Sequence, residues 1–452
     1  MGTLLVKNSH TLVTMDDERR EIKNGAIFVR DNVVEQIGAS DDLPATADDV
    51  LDLKGRHVVL PGLVNTHHHF FQTLTRAVPA AQNCDLFNWL QTLYPIWSRL
   101  TGEGVYASAK MAAAELMLSG CTTASDHLYL FPNNCKLDDE IRAVQDIGLR
   151  FHASRGSMSV GESLGGLPPD ALVEAEADIL KDSQRLIEQY HNNSRHAMIR
   201  MVLAPCSPFS VSTDLMRESA AMARSYPGVR LHTHLAENKS DVDYSLSTFG
   251  LTPGDYAESV GWLGEDVWHA HCVQLSDLSI QKFAKTGTGV AHCPCSNMRL
   301  ASGMAPIRKM LDSGVSVGMG VDGAASNDAS NLLQETRTAF LMARVREADA
   351  AAMTAREALE IATRGGAKVL GRDDIGHLAP GMSADFISFD VDRPAFVGSH
   401  LDVVAALIFC QPPAVDYSFI NGKKVIEEGK LIAVDIEKLI ETCNRLASSM
   451  VE

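Results

Sequence analysis

Residues 58–76 read VVLPGLVNTHHHFFQTLTR, an apolar run broken by Pro61-Gly62 and followed by three consecutive histidines, His67, His68 and His69. The run has the character of a buried strand, so the histidines stand at its carboxyl end. Residues i and i+2 of a strand share a face. His67 and His69 can therefore point to one side while His68 points to the other. The pair is either part of a metal site or two core imidazoles bonded to backbone, and the other strand ends decide between these.

Outward from this stretch, residues 58–370 repeat one rhythm: a short apolar strand, a polar loop, then a helical stretch. Strands are expected at 58–64, 121–126, 149–155, 198–204, 229–235, 266–271, 288–292 and 315–321. Amphipathic helices such as GVYASAKMAAAELMLSG and LLQETRTAFLMARVREA lie between them. Eight strands alternating with helices predict an α/β fold with a closed parallel (β/α)8 barrel of the TIM type. No Walker-type loop is present, which argues against a phosphate-binding loop of that kind. The flanks read differently. GAIFVRDNVVEQIG predicts a hairpin at Asp31-Asn32, while ADFISFD and DYSFINGKKVIEEGKLI are strand-like, with a tight turn at Asn421-Gly422. The expected organisation is a small β-sandwich domain built from 1–57 and 371–430, a barrel over 58–370, and a packing helix at about 434–449 within 431–452.

In such a barrel the chemistry sits at the carboxyl ends of the strands. There VRLHTHLAE supplies His232, His234 and Glu237, VWHAHC supplies His269 and His271, and VGMGVDG ends in Asp322. Any single histidine here could be a satisfied core residue. Several strand ends bringing His, His, His and Asp to one mouth fit a divalent ion, because neutral imidazoles and a carboxylate suit Zn2+ or Fe2+ with a position left for water. His57, His127, His152, His191, His196, His292, His377 and His400 are read as core or surface residues.

The bulk numbers exclude other classes. The 452 residues carry 40 Lys+Arg against 57 Asp+Glu, a formal charge of −17, with no basic run, so a polynucleotide partner is not expected. Nine scattered cysteines predict reduced thiols in a cytoplasmic protein, and Cys293-Pro294-Cys295 lacks the second pair of a zinc ribbon. The amino terminus does not read as a signal peptide, Val6 stands where a myristoylation motif wants Ser or Thr, and no run is apolar enough to span a membrane.

The motifs PGLVNTHHH, HTHLAE, HAHC and GVDG, in this order, resemble the amidohydrolase superfamily, in its branch of cytosine and guanine deaminases and triazine chlorohydrolases. The resemblance runs over essentially the whole chain. It implies His67, His69, His234 and Asp322 as ligands of one divalent ion, Zn2+ with Fe2+ or Mn2+ as alternatives. It implies Glu237 as proton shuttle and His271 as the catalytic histidine of the sixth strand, with Asp322 also acting in catalysis. His232 and His269, two residues before the assigned groups, are read either as supports behind those groups or as packing. Two-metal members carry a bridging modified lysine at the fourth strand end. VLAPCSPFS (202–210) has none, which implies a single ion.

The implied reaction is hydrolytic deamination of a small heterocycle. Hydroxide made available at the ion adds to the amine-bearing ring carbon, Asp322 takes the proton, and Glu237 protonates a ring nitrogen. NTHHHFFQTLTR, ASRGSMS and HCPCSNMRLASGMAP are most similar to the bacterial 8-oxoguanine deaminase group, implying conversion of 8-oxoguanine to uric acid and ammonia. Guanine deamination and triazine hydrolysis remain alternatives, as does a non-catalytic metal-binding scaffold. Gln72, Arg155 and Asn297 are the expected substrate contacts, because an amide offers both donor and acceptor to a purine edge and an arginine can meet a carbonyl oxygen. Relatives in this family imply a homo-oligomer.

Overall fold

The apolar run that opens the motif divides at Gly62. His57–Pro61 and Leu63–Asn65 are separate strands in different sheets, which corrects the expectation of one strand over 58–64. A Cβ at position 62 would lie 1.9 Å from Thr122 Oγ1, so only glycine lets the chain cross this closely against the neighbouring barrel strand. The computed structural model describes residues 2–410 and 414–451.

The barrel strands are β1 (Leu63–Asn65), β2 (Cys121–Leu128), β3 (Arg150–Ser157), β4 (Ile199–Pro205), β5 (Arg230–Leu235), β6 (Val267–His271), β7 (Gly289–His292) and β8 (Ser316–Met319). All neighbours pair in parallel, and Met319 opposite Asn65 closes the ring. Buried Val, Leu and Ala residues favour these short strands. The polar residues collect at their ends. Helices return the chain along the outside and start where a side chain can satisfy free backbone N–H groups. Thr101 caps Gly102–Leu118, Ser212 caps Thr213–Ser225 and Asn331 caps Leu332–Glu347.

Two further sheets draw on both ends of the chain. One has four strands, in the order Val33–Ala39, Gly25–Arg30, Thr3–Lys7 and Asp49–Asp52. The other has seven and runs from Lys430–Leu431 through Phe386–Asp390 and His57–Pro61 to Glu21–Lys23. The hairpins turn at Asp31 and at Asn421-Gly422, whose left-handed φ values of 58°, 51° and 76° suit these residue types. A buried bidentate pair, Arg150 Nε and Nη2 on Asp385 at 2.8 Å each, ties the start of β3 to the loop entering strand Phe386–Asp390. The last helix, Ile436–Val451, packs on Gly102–Leu118, with Cys443 against the Ala107 carbonyl. Among the described residues, no helix is long and apolar enough to cross a membrane.

Candidate metal centre and active site

The carboxyl ends of β1, β5, β6 and β8 converge on one buried point. His67 Nε2 lies 3.2 Å and His69 Nε2 3.3 Å from Asp322 Oδ1, and His69 Nε2 lies 3.1 Å from His234 Nε2. Each ring is turned by a hydrogen bond on its other nitrogen. His69 Nδ1 donates to the His127 carbonyl at 2.7 Å, and His234 Nδ1 donates to the Cys206 carbonyl at 2.6 Å. His67 is held through an intermediary. The Trp268 carbonyl can only accept, so His232 carries its proton on Nδ1 (3.0 Å) and presents Nε2 as acceptor to His67 Nδ1–H at 2.8 Å. His232 therefore fixes the tautomer of His67.

All three Nε2 atoms are thus left as lone pairs facing one another and a carboxylate oxygen. His67 Nε2 is buried with no hydrogen-bond partner among the described residues. Burial keeps the rings neutral: His67 and His69 titrate below the ordinary histidine range and His234 is pushed down to about 3. Burial opposes ionisation of Asp322, but the adjoining His67, His271 and His69 hold it well below the usual carboxylate range. Lone pairs this close repel unless a cation lies among them. The donor set, three imidazole nitrogens and a carboxylate, fits a Zn2+-like ion.

Beside this point stand two further groups. His271 Nε2 is 3.5 Å from Glu237 Oε2 and 4.0 Å from Asp322 Oδ2. Against the effect of burial, these two carboxylates raise the His271 pKa. Burial pushes Glu237 up to about 7. Its backbone N–H is held by Asp241 at 3.0 Å. Four residues at these strand ends, Ala236, His271, Cys272 and Asp322, take left-handed φ values of 52°, 70°, 51° and 64°. Such backbone strain collects where side-chain direction matters more than local comfort.

The cavity above these groups has an aromatic wall: Trp89 and Tyr94 from helix Leu86–Trp97, Tyr129 after β2, and Phe209 after β4. Gln72 lines it and accepts from Ala325 N at 3.4 Å. Gly323 makes room for that amide, because a Cβ there would lie 1.9 Å from Gln72 Oε1.

Two expected substrate contacts are elsewhere. Alternation along β3 puts Arg155 on its outer side, where it binds Glu174 (2.8 Å) and Asp182 (2.9 Å) and lies 3.9 Å over Phe131. Asn297 is buried behind His271 and takes the His271 Nδ1–H on Oδ1 at 3.0 Å, so it orients that ring and does not line the cavity. His127, read from sequence as a core residue, stacks on His234 with centroids 4.9 Å apart. One of its ring nitrogens lies within 4.8 Å of the facing nitrogens of His67, His69 and His234. Its Nε2 donates to the Ala204 carbonyl at 2.7 Å, while Nδ1 is bare. Its place at the end of β2 was the available signal, and no partner spacing in the sequence accompanied it.

The amidohydrolase family model matches residues 58–425. The chain is 46% identical to 8-oxoguanine deaminase of Pseudomonas aeruginosa over 430 residues, covering 94% of this chain and 95% of that one. It is 37% identical to hydroxydechloroatrazine ethylaminohydrolase of Pseudomonas sp. strain ADP, with 96% and 93% covered. The structure matches that of atrazine chlorohydrolase from Arthrobacter aurescens TC1 complexed with zinc, with a TM-score of 0.93 at 33% identity, covering 98% and 100% of the two chains.

Proposed function

The chain belongs to the amidohydrolase family, and from that premise we propose that it is a hydrolytic deaminase that converts 8-oxoguanine to uric acid and ammonia. The observation that carries this reading is Glu237: a buried carboxyl on the cavity wall, three residues beyond His234, with a pKa near 7 and 3.5 Å from His271. A group of this pKa takes and gives a proton equally well near neutrality. The identity to 8-oxoguanine deaminase over nearly the full length of both chains supports the substrate.

His67, His69, His234 and Asp322 would hold one divalent ion, Zn2+ in the first instance. When bound, such an ion polarises the electrophile and brings the pKa of water towards about 7. Asp322 takes the proton of the water that adds to the amine-bearing ring carbon, and Glu237 protonates the adjacent ring nitrogen. His271, held by Asn297, orients the incoming oxygen. The second proton from that oxygen passes to the amine, which leaves as ammonia as the ring carbonyl forms. Gln72 reads the edge of the ring, and Trp89 and Tyr129 flank its faces and keep out water. The nine cysteines are unpaired, which fits a cytoplasmic, reducing setting. A homo-oligomer is proposed from the family resemblance and is checked by light scattering.

The test is ammonia release by zinc-loaded protein given 8-oxoguanine, guanine, isoxanthopterin and an aminotriazine in parallel, with Glu237→Gln beside the wild type. The expected result is a preference for 8-oxoguanine and a loss of roughly 100- to 10,000-fold in the variant with metal retained. Turnover of another ring with the same Glu237 dependence overturns the substrate alone. Zinc-loaded protein that releases no ammonia from any of them overturns the deaminase reading.

A further inference from the structure

The opposite, amino-terminal end of the barrel carries a second polar cluster that the chemistry above does not use. Arg150 opens β3, Arg200 is the second residue of β4, Arg230 opens β5, and Arg372 reaches the same floor from the segment after β8. Two of these four cations are neutralised. Arg150 grips Asp385, and Arg372 grips Asp374 at 2.7 and 2.8 Å. Among the described residues, Arg200 and Arg230 have no carboxylate within ion-pair reach. Arg200 gives Nη1–H to the Gly371 carbonyl at 3.0 Å, and Arg230 gives Nη2–H to the Glu265 carbonyl. Both guanidinium groups lie against Gly371, where a Cβ would fall 2.0 Å from Arg230 Nη1. Each leaves a buried Nε–H with no acceptor among the described residues.

His152 stands with them. It is the cross-strand partner of Arg200, is fully buried, and among the described residues has no hydrogen-bond partner on either ring nitrogen. Burial and the charges of Arg372, Arg200, Arg230 and Arg150 keep it neutral, so it carries one free N–H and one free lone pair beside these arginines. Buried charges and donors left without partners are strongly destabilising. A water molecule could satisfy the imidazole but would leave neither guanidinium with an anionic contact, since Asp373 and Asp374 near Arg200 and Glu265 and Asp266 near Arg230 lie beyond ion-pair distance. A small anion answers both needs, and a monatomic one accepts hydrogen bonds from any direction.

We propose that the barrel floor binds a monovalent anion of the halide class, held by the Nε–H groups of Arg200 and Arg230 and by His152. The test unfolds the metal-loaded protein thermally in chloride, bromide or gluconate at fixed ionic strength, wild type beside Arg200→Gln, and maps bromide in soaked crystals by anomalous scattering. The expected result is a midpoint that rises with the logarithm of halide concentration in the wild type, a flat response in Arg200→Gln, and a bromide peak among Arg200, Arg230 and His152. An ordered water in place of that peak overturns the proposal. So does a halide response that survives in the variant, since the halide then acts elsewhere, the metal centre included. Should Arg200→Gln not fold, the bromide map decides alone: a peak at the floor supports the site, and an empty map there refutes it.

Discussion

Replacing Asn297 by alanine separates two roles for a residue that sequence alone assigns to the substrate. Its Oδ1 takes the His271 Nδ1–H at 3.0 Å, and His271 is only 1% exposed, so no bulk water replaces the lost acceptor. Leaving a buried donor unsatisfied costs about 1–3 kcal/mol. If that bond keeps His271 Nε2 aimed at Glu237 and Asp322, the loss appears in the rate. At 1.36 kcal/mol per factor of ten, it lowers kcat by roughly 5- to 150-fold. The assay is steady-state ammonia release at equal metal content on at least two ring substrates. An orienting role lowers kcat by a similar factor on both and leaves KM nearly constant. A direct substrate contact instead raises KM by factors that differ between rings. Asn297→Asp retains an acceptor for the imidazole and should recover much of the lost rate. A folded, metal-loaded Asn297→Ala enzyme with kcat within about twofold of wild type would refute the reasoning, as would a change confined to KM.

Glu237→Gln should trade activity for stability in metal-free protein. The folded pKa, about 7, lies above the ordinary 4.5, so Glu237 weighs nothing against the fold below about pH 4.5 and progressively more as pH rises to 7. Above pH 7 the variant should be more stable by about 3 kcal/mol and at pH 4 equal to wild type, as read from urea unfolding; equal stability at both pH values would count against it. Chelation should abolish ammonia release and lower the thermal midpoint, because it leaves three imidazole lone pairs and Asp322 crowded within 3.1–3.3 Å, and zinc should restore both. A midpoint unmoved by chelation would contradict that account. Arg155→Ala should leave KM unchanged for every substrate and destabilise by about 1–3 kcal/mol, since its buried guanidinium joins partly exposed Glu174 and Asp182. A selective rise in KM would return Arg155 to the substrate.

The alternation of strands and helices, and the gathering of His and Asp at strand ends, made the barrel and the convergent imidazoles legible from sequence. What escaped did so for identifiable reasons. VVLPG and LVN are equally apolar, and nothing in their hydrophobicity says that they enter different sheets on either side of Gly62. Arg155 was recognised as a polar residue at a strand end, but one step of alternation decides between cavity and outer face, and sequence alone does not fix that phase. Asn297 and His271 are far apart in the chain, so their contact is tertiary. His127 and Tyr129 share one segment, Trp89 and Tyr94 a second, and Phe209 stands on a third, with no sequence motif linking the three. The floor cluster was hidden likewise, since Arg150, Arg200 and Arg230 each look like an ordinary charged residue opening a strand.

The anchors of the three imidazoles explain why the metal end of the barrel is readable and the substrate end is not. His69 leaves β1 and donates to a carbonyl of β2, at His127. His234 of β5 donates to a carbonyl just past β4, at Cys206. His67 leaves β1 and reaches the β6 carbonyl of Trp268 through His232 of β5. Each donor atom is therefore aimed by the backbone of another strand. Backbone carbonyl positions follow from barrel closure and register, which any sequence that forms the barrel preserves. His and Asp at the strand ends are enough to specify such a centre. Gln72, Trp89, Tyr129 and Phe209 lie beyond the strands, where register no longer dictates position, and they line the cavity without forming part of the anchors. Loops can then change the heterocycle while the proton chemistry stays in place. Such a division of labour fits the likeness of this chain to proteins named for a purine and for triazines alike.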